Sequence, residues 1–273
     1  MKLIISPDLA PRLEALYREK NRRCYVDPDP LVFLYRYPDP ADREIAGLAA
    51  ASLAYGNVRQ ILKSVAGVLD VMGKSPSHYI ENRRPDGFLR DFDGFVHRFA
   101  TGAHIAALLS GVRRVVSDHG SLMAFFRSAC TANAETYLPA LGAFADALRD
   151  TTCGDPGHLL PRVEKGSACK RLNLYLRWMI RKDAVDPGGW DSLCPSRLII
   201  PLDVHMHRVC RELDLTNRRQ ADMKAALEIT RAFSDIIPDD PVRYDFVLTR
   251  RGIRKDDCFG LPPQDSGAAL FSA

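Results

Sequence analysis

The chain has 273 residues, 46% of them hydrophobic and 26% charged, with a formal net charge of +4. That length buries a substantial core, as one large domain or two closely packed lobes, and the composition is that of a folded chain, not a disordered one. The apolar run before Pro7, Asp8 and Arg12 is too short for a signal-peptide core or a membrane span, and no later stretch approaches one, so a cytoplasmic protein with no membrane partner is expected.

Helical periodicity runs from end to end. A first helix is expected over residues 8–23 with Leu9, Leu13, Leu16 and Tyr17 inward. The proline-rich YVDPDP and YPDPAD connectors then flank a short LVFLYR helix. The Ala-rich EIAGLAAASLAYG follows, its small residues permitting close helix packing. After a break at Gly56 and Asn57, the stripe Val58, Ile61, Leu62, Val65, Val68, Leu69 and Met72 marks another helix. Further helices are expected near 76–81, 103–117, 121–129, 134–149, 168–182, 203–213, 220–235 and 240–250. Period-two alternation is almost absent, so the fold class is all-α. The tail after Arg254 is rich in breakers and is expected to be loose or draped on the surface.

Seven cysteines, Cys24, Cys130, Cys153, Cys169, Cys194, Cys210 and Cys258, are scattered without a CxxC pair, which argues against a zinc ribbon or an iron-sulfur loop. Cys169 has no His or acid near it in sequence and reads as a small packing residue. Between Arg162 and Lys182, by contrast, Arg162, Lys165, Lys170, Arg171, Arg177, Arg181 and Lys182 face a single acid, Glu164. Such an excess neutralises several phosphates, although charge alone equally describes a solvated helix face.

Two residues in that region carry chemistry. Lys170, in GSACKRLNLYLRWMIR, lies in the first turn of an amphipathic helix and off the stripe of Leu172, Tyr175, Leu176 and Met179. Asp203, in IIPLDVHMHRV, stands where a helix N-cap is expected. An amine nucleophile beside a carboxylate suits imine chemistry. The attacking form is the uncharged amine, and a helix N-terminus disfavours an ammonium. The bland alternatives are a phosphate-contacting lysine and a purely structural cap. Before Lys170, residues Lys165, Gly166, Ser167 and Ala168 form a short turn whose backbone amides suit a phosphate.

These segments resemble the helix-hairpin-helix DNA glycosylases. PLDVHM is similar to the corresponding stretch of the eukaryotic 8-oxoguanine glycosylases, and the long insertion between Lys170 and Asp203 is more like the archaeal ones. The chain up to about Gly252 also resembles a bacterial family whose recurring blocks are YVDPDPLVFL, SLAYGN, KRLNLYLRWM and YDF. The resemblance implies two helical lobes around a DNA cleft, one spanning 40–182 and the other joining 1–39 to 183–255, with 256–273 as a tail. It implies a monomer acting without a cofactor on double-stranded DNA that holds a damaged base, at the bacterial nucleoid. Lys170 becomes the Schiff-base nucleophile and Asp203 the catalytic carboxylate. Lys165, Gly166, Ser167, Arg171 and His205 become DNA contacts.

Asp245 matches an aspartate that contacts extruded 8-oxoguanine in the archaeal enzymes. Leu174 and Thr249 stand where those enzymes place aromatic residues. Ala168 replaces the second glycine of the usual hairpin. Tyr55, Trp178, Trp190 and Phe246 are the substitutes available for stacking on a base, although helical aromatics are more often core. The expected activity is thus a glycosylase and abasic-site lyase excising an oxidised purine. Two other classes stay open: a non-catalytic hairpin DNA-binding protein, and a metal-dependent hydrolase using Asp203, His205 and His207. On a helix, residues two apart point to nearly opposite sides, which disfavours chelation by the two histidines.

Overall fold

The computed structural model describes residues 7–151 and 153–254, with backbone alone for 251–254. The expected C-terminal tail and Cys258 lie outside them. The described residues are mostly helical: α1 (Leu9–Lys20), α2 (Pro40–Ser52), α3 (Val58–Met72), α4 (Pro76–Asn82) and α5 (Pro85–Asp91) precede a hairpin of β1 (Val96–His97) and β2 (Ala100–Thr101). Then come α6 (Gly102–His119), α7 (Leu122–Ser128), α8 (Leu138–Arg149), α9 (Lys170–Ile180), α10 (Val204–Glu212), α11 (Met223–Ile236) and α12 (Asp245–Arg254). The fold is all-α. Among the described residues no helix is long and apolar enough to cross a membrane.

Local chemistry sets most boundaries. Helix α2 starts where Pro40 takes the first helical position and the Asp39 side chain accepts from the Ala41 amide at 2.9 Å. Asn57 caps α3 through the Arg59 amide at 3.0 Å. Residues 134–137 do not join α8, which starts at Leu138 with Pro139 in its first turn. The short Pro85–Asp91 helix and the hairpin were not anticipated, because seven residues carry barely two turns of periodicity and two-residue strands carry no alternation. The LVFLYR stretch forms a 3-10 segment, Pro30–Arg36, which packs on α2 and α3.

Helix α2 is the central element, packed on α9, α3, α4, α7 and Pro30–Arg36. Nearly every residue from Asp42 to Ser52 is buried, which small side chains make possible. At Gly47 an added Cβ would lie 3.2 Å from Leu34 and 3.4 Å from Tyr175, so this spacing admits little more than hydrogen. The α6–α8 crossing is closer still, where a Cβ on Gly111 would meet the Leu148 carbonyl at 1.9 Å. Glu44 anchors α2 to its surroundings: it is 3% exposed and accepts from the Leu122 and Met123 amides and Trp190 Nε1. Burial outweighs these bonds and pushes its carboxyl above the ordinary range. The two ends of the described chain meet, with α1 packed on α12 and α12 on α10.

Candidate active site

Lys170 is the first residue of α9, and the turn before it is tied down from three sides. Gly166 takes a left-handed conformation at φ 76, and its amide donates to the Val163 carbonyl at 3.2 Å. The second left-handed residue is Cys169 at φ 46, the N-cap position, with the non-glycine Ala168 between. The buried side chain of Asn173 donates to the Ala168 carbonyl at 3.0 Å. From the far side, the Met223 amide donates to the Gly166 carbonyl at 3.0 Å, and Ser167 forms an antiparallel bridge with Asp222. Lys170 therefore projects from a fixed base.

Asp203 caps α10 as its sequence position suggests. One carboxylate oxygen accepts from the Met206 amide at 2.8 Å, and the other lies 2.8 Å from Lys170 Nζ. Burial acts to raise the carboxyl's pKa, but the Lys170 charge and hydrogen bond, with the Met206 amide, outweigh it and hold it below the ordinary 3.8. A carboxylate there also offsets the unfavourable placement of an ammonium at a helix N-terminus. The two side chains keep 35% and 31% of their surface exposed. They open on a pocket of about 390 Å³, walled also by Ala54, Tyr55, Cys169, Leu202 and Ala221. That volume lies in the range of small-molecule sites, about 300–1,000 Å³.

Tyr55 is the one proposed stacking aromatic on this pocket; Trp178, Trp190 and Phe246 are at most 1% exposed and belong to the core. Its ring is held edge-on by His97 and His158, with centroids at 4.7 and 5.1 Å. Its hydroxyl donates to the His97 carbonyl at 2.9 Å, so the 2.7 Å contact with His158 Nε2 requires that nitrogen to carry the proton. Burial, reinforced by the charge of Arg171, holds His158 below the ordinary histidine value and keeps it neutral at pH 7. His97 and His158 escaped sequence reasoning, since they lie 42 and 103 residues from Tyr55.

Several expected contacts need correction. Arg171 does not present its guanidinium to a phosphate: the group donates to the Ser52 and His158 carbonyls and lies 5.0 Å from the Tyr55 ring centre. It joins the helix that carries Lys170 to the pocket wall. Arg177 and Arg181, counted in the basic run, are 3% and 2% exposed. Both pair with the fully buried Asp186, and Arg181 also pairs with Asp183 and Asp240. They neutralise carboxylates inside the protein.

Asp245, expected against an extruded base, is the other partner of Arg177 and is 1% exposed. Burial pushes its carboxyl up against the pull of Arg177, and the charges of Lys170 and Asp203 also reach it. One carboxylate oxygen, Oδ1, has no hydrogen-bond partner. It does not line the pocket that the Lys170–Asp203 pair opens on. Thr249 spends its hydroxyl on the Asp245 and Phe246 carbonyls of its own helix, and Leu174 packs partly buried against the core. Neither lines the pocket.

Lys165 and Gly166 are exposed beside the pocket and Ser167 is exposed on its wall, as a phosphate contact requires. His205 lies in the first turn of α10, where burial and Arg208 lower its pKa; its Nδ1 meets Arg208 at 3.1 Å and its Nε2 is buried without a partner. His207 is 6% exposed. Among the described residues no group of three or more His, Cys, Asp or Glu side chains is placed to hold a metal ion. Cys169 is 4% exposed, with its sulfur 3.5 Å from the Ser167 hydroxyl, and burial pushes its thiol pKa up.

No curated protein and no solved structure matches the chain. A family model described as a protein of unknown function, DUF2400, matches residues 29–254, which include the pocket and both Lys170 and Asp203. The chain belongs to the DUF2400 family.

Proposed function

We propose that the protein is a DNA glycosylase with abasic-site lyase activity, acting on an oxidised purine in duplex DNA, with 8-oxoguanine the first substrate to test. The observation that carries this reading is the Lys170–Asp203 pair, 2.8 Å apart and facing a pocket of about 390 Å³. Lys170 Nζ, as free amine, bonds to the sugar carbon C1′ while the C1′–N9 bond breaks, leaving its electron pair on the base, which takes up a proton. Opening of the sugar ring gives the imine. Loss of a C2′ proton then expels the 3′ phosphate as the C3′–O bond breaks, and water hydrolyses the imine to return the lysine.

Asp203 suits two tasks. As a carboxylate kept ionised at neutral pH, it stabilises the positive charge that builds on the deoxyribose as the base leaves. Within hydrogen-bond reach of Nζ, it also relays the proton that the ammonium must lose. Imine formation supplies its own electron sink, so this reading needs no cofactor. Such a protein works at the chromosome.

The test is borohydride reduction on a duplex bearing 8-oxoguanine, with an abasic duplex beside it. The wild type is expected to give a covalent adduct and Lys170→Gln none. An adduct that persists in Lys170→Gln removes Lys170 as nucleophile, and duplex binding with no adduct from the wild type leaves only a DNA-binding role.

A further inference from the structure

The residues 217–224 contribute nothing to the reactive pair, yet the fold places them against the turn that carries it. The Ser167–Asp222 bridge is antiparallel, so Lys165 and Lys224, each two residues from the bridged pair, lie at the same end of it. Ala221 and Ser167 both line the Lys170 pocket, so the bridge is part of the pocket's rim. Arg219, two residues before Ala221, lies toward the other end. Lys165, Arg219 and Lys224 are all exposed.

The nearby acids are already committed. Asp222 caps α11 through the Ala225 amide at 2.8 Å and pairs with Arg218, and Glu164 faces Arg162. Among the described residues none of Lys165, Arg219 and Lys224 has an ion-pair partner. Lys224 sits in the first turn of α11, where its charge reaches the capping Asp222 carboxylate, which is already engaged by the Ala225 amide and Arg218. Two lysines gathered at one end of a bridge add like-charge repulsion. Exposed cations gathered on the lip of a pocket complement an extended anion.

We propose that Lys165, Arg219 and Lys224 form a phosphate-binding rail along the pocket rim, which grips the sugar-phosphate backbone of the DNA strand whose nucleotide enters the pocket. The proposal rests on the reading above for the identity of the polyanion and extends the contact from the predicted turn to a segment more than 50 residues away, as the Ser167–Asp222 bridge shows. The rail acts by counterion release, so its signature is the salt dependence of binding and not its sequence preference.

The experiment measures binding of Lys170→Gln to a short duplex containing a tetrahydrofuran abasic site over a series of salt concentrations. Lys165→Gln, Arg219→Gln and Lys224→Gln are added singly and together, with Arg90→Gln on α5 as control. Each rail substitution is expected to lower the slope of log affinity against log salt by about 1 and the triple change by about 3. The control should leave the slope unchanged. A triple variant with the parent slope, or a control that moves it as far as a rail substitution does, overturns the rail. Because no turnover is involved, the slopes remain readable even if the wild type yields no borohydride adduct, so the rail and the lyase reading fail separately.

Discussion

Two of the cations on helix α9, Lys170 and Arg177, stand seven residues apart, hence on one face, and each meets an aspartate; the two pairs have opposite fates. Arg177, 3% exposed, is enclosed by Asp186 and Asp245, with every formal charge facing a partner in the interior. Lys170, two turns nearer the N-terminus, pairs with Asp203 where both keep about a third of their surface in contact with solvent. Arginine's planar, permanently charged fork suits the enclosed site with two carboxylates. A lysine, which can lose its proton and become a nucleophile, suits the open one. Burial separates the ion pair that holds the fold from the pair that is available to react.

The largest effect expected from breaking this contrast is at Lys170. Lys170→Gln should abolish the borohydride adduct while leaving the denaturant midpoint close to wild type, because an ion pair exposed to this degree contributes little to stability. Asp203→Asn comes next. Asparagine caps a helix as well as aspartate does, so the substitution removes charge and keeps the cap. Single-turnover base release should fall by about 10²- to 10⁴-fold, the usual range for lost proton transfer.

The reverse pattern is expected at the inner pair. Arg177→Met leaves the buried Asp245 without its charge partner, while Asp186 keeps Arg181, and should cost about 3–5 kcal/mol in denaturant unfolding. A stable Arg177→Met protein would show that the inner network is dispensable to the fold. Tyr55→Leu, examined in Lys170→Gln, should weaken binding to a lesion duplex by about 1–3 kcal/mol and leave the abasic duplex nearly untouched, since only the former presents a base to stack. Equal losses on both duplexes would reassign Tyr55 from stacking to wall support.

The smallest effect is on pH dependence. The folded-state pKa of Asp203 is depressed, so its contribution to stability is present above the ordinary 3.8 and is lost as pH falls from there through the depressed value. Asp203→Asn should therefore lose less stability than wild type over that acid interval, as measured by unfolding at a series of pH values.

The meeting of Lys170 and Asp203 was legible because each residue carries a local signal. Lys170 stands off an apolar stripe and Asp203 sits where a cap belongs, and both signals need only a few neighbours in sequence. Asp245 and the basic run misled for a related reason. Sequence proximity gathers Arg171, Arg177 and Arg181 with Lys165, but three to four residues per turn carry some of them inward, where their partners come from loops not yet folded into view. The same limit hid His97 and His158, which reach Tyr55 only through the hairpin and the segment before α9.

Sequence alone determined that this chain is helical, where its caps and breaks fall, and which amine and acid deserve attention, because periodicity and capping act over one or two turns. Tertiary structure decided the rest. Whether a charged side chain ends in a pocket or in a buried network depends on which surfaces pack against α9, and that is set by contacts between residues tens to hundreds of positions apart. The 2.8 Å approach of Lys170 to Asp203, the enclosure of Arg177 and the meeting of residues 217–224 with the turn before Lys170 are all products of that packing.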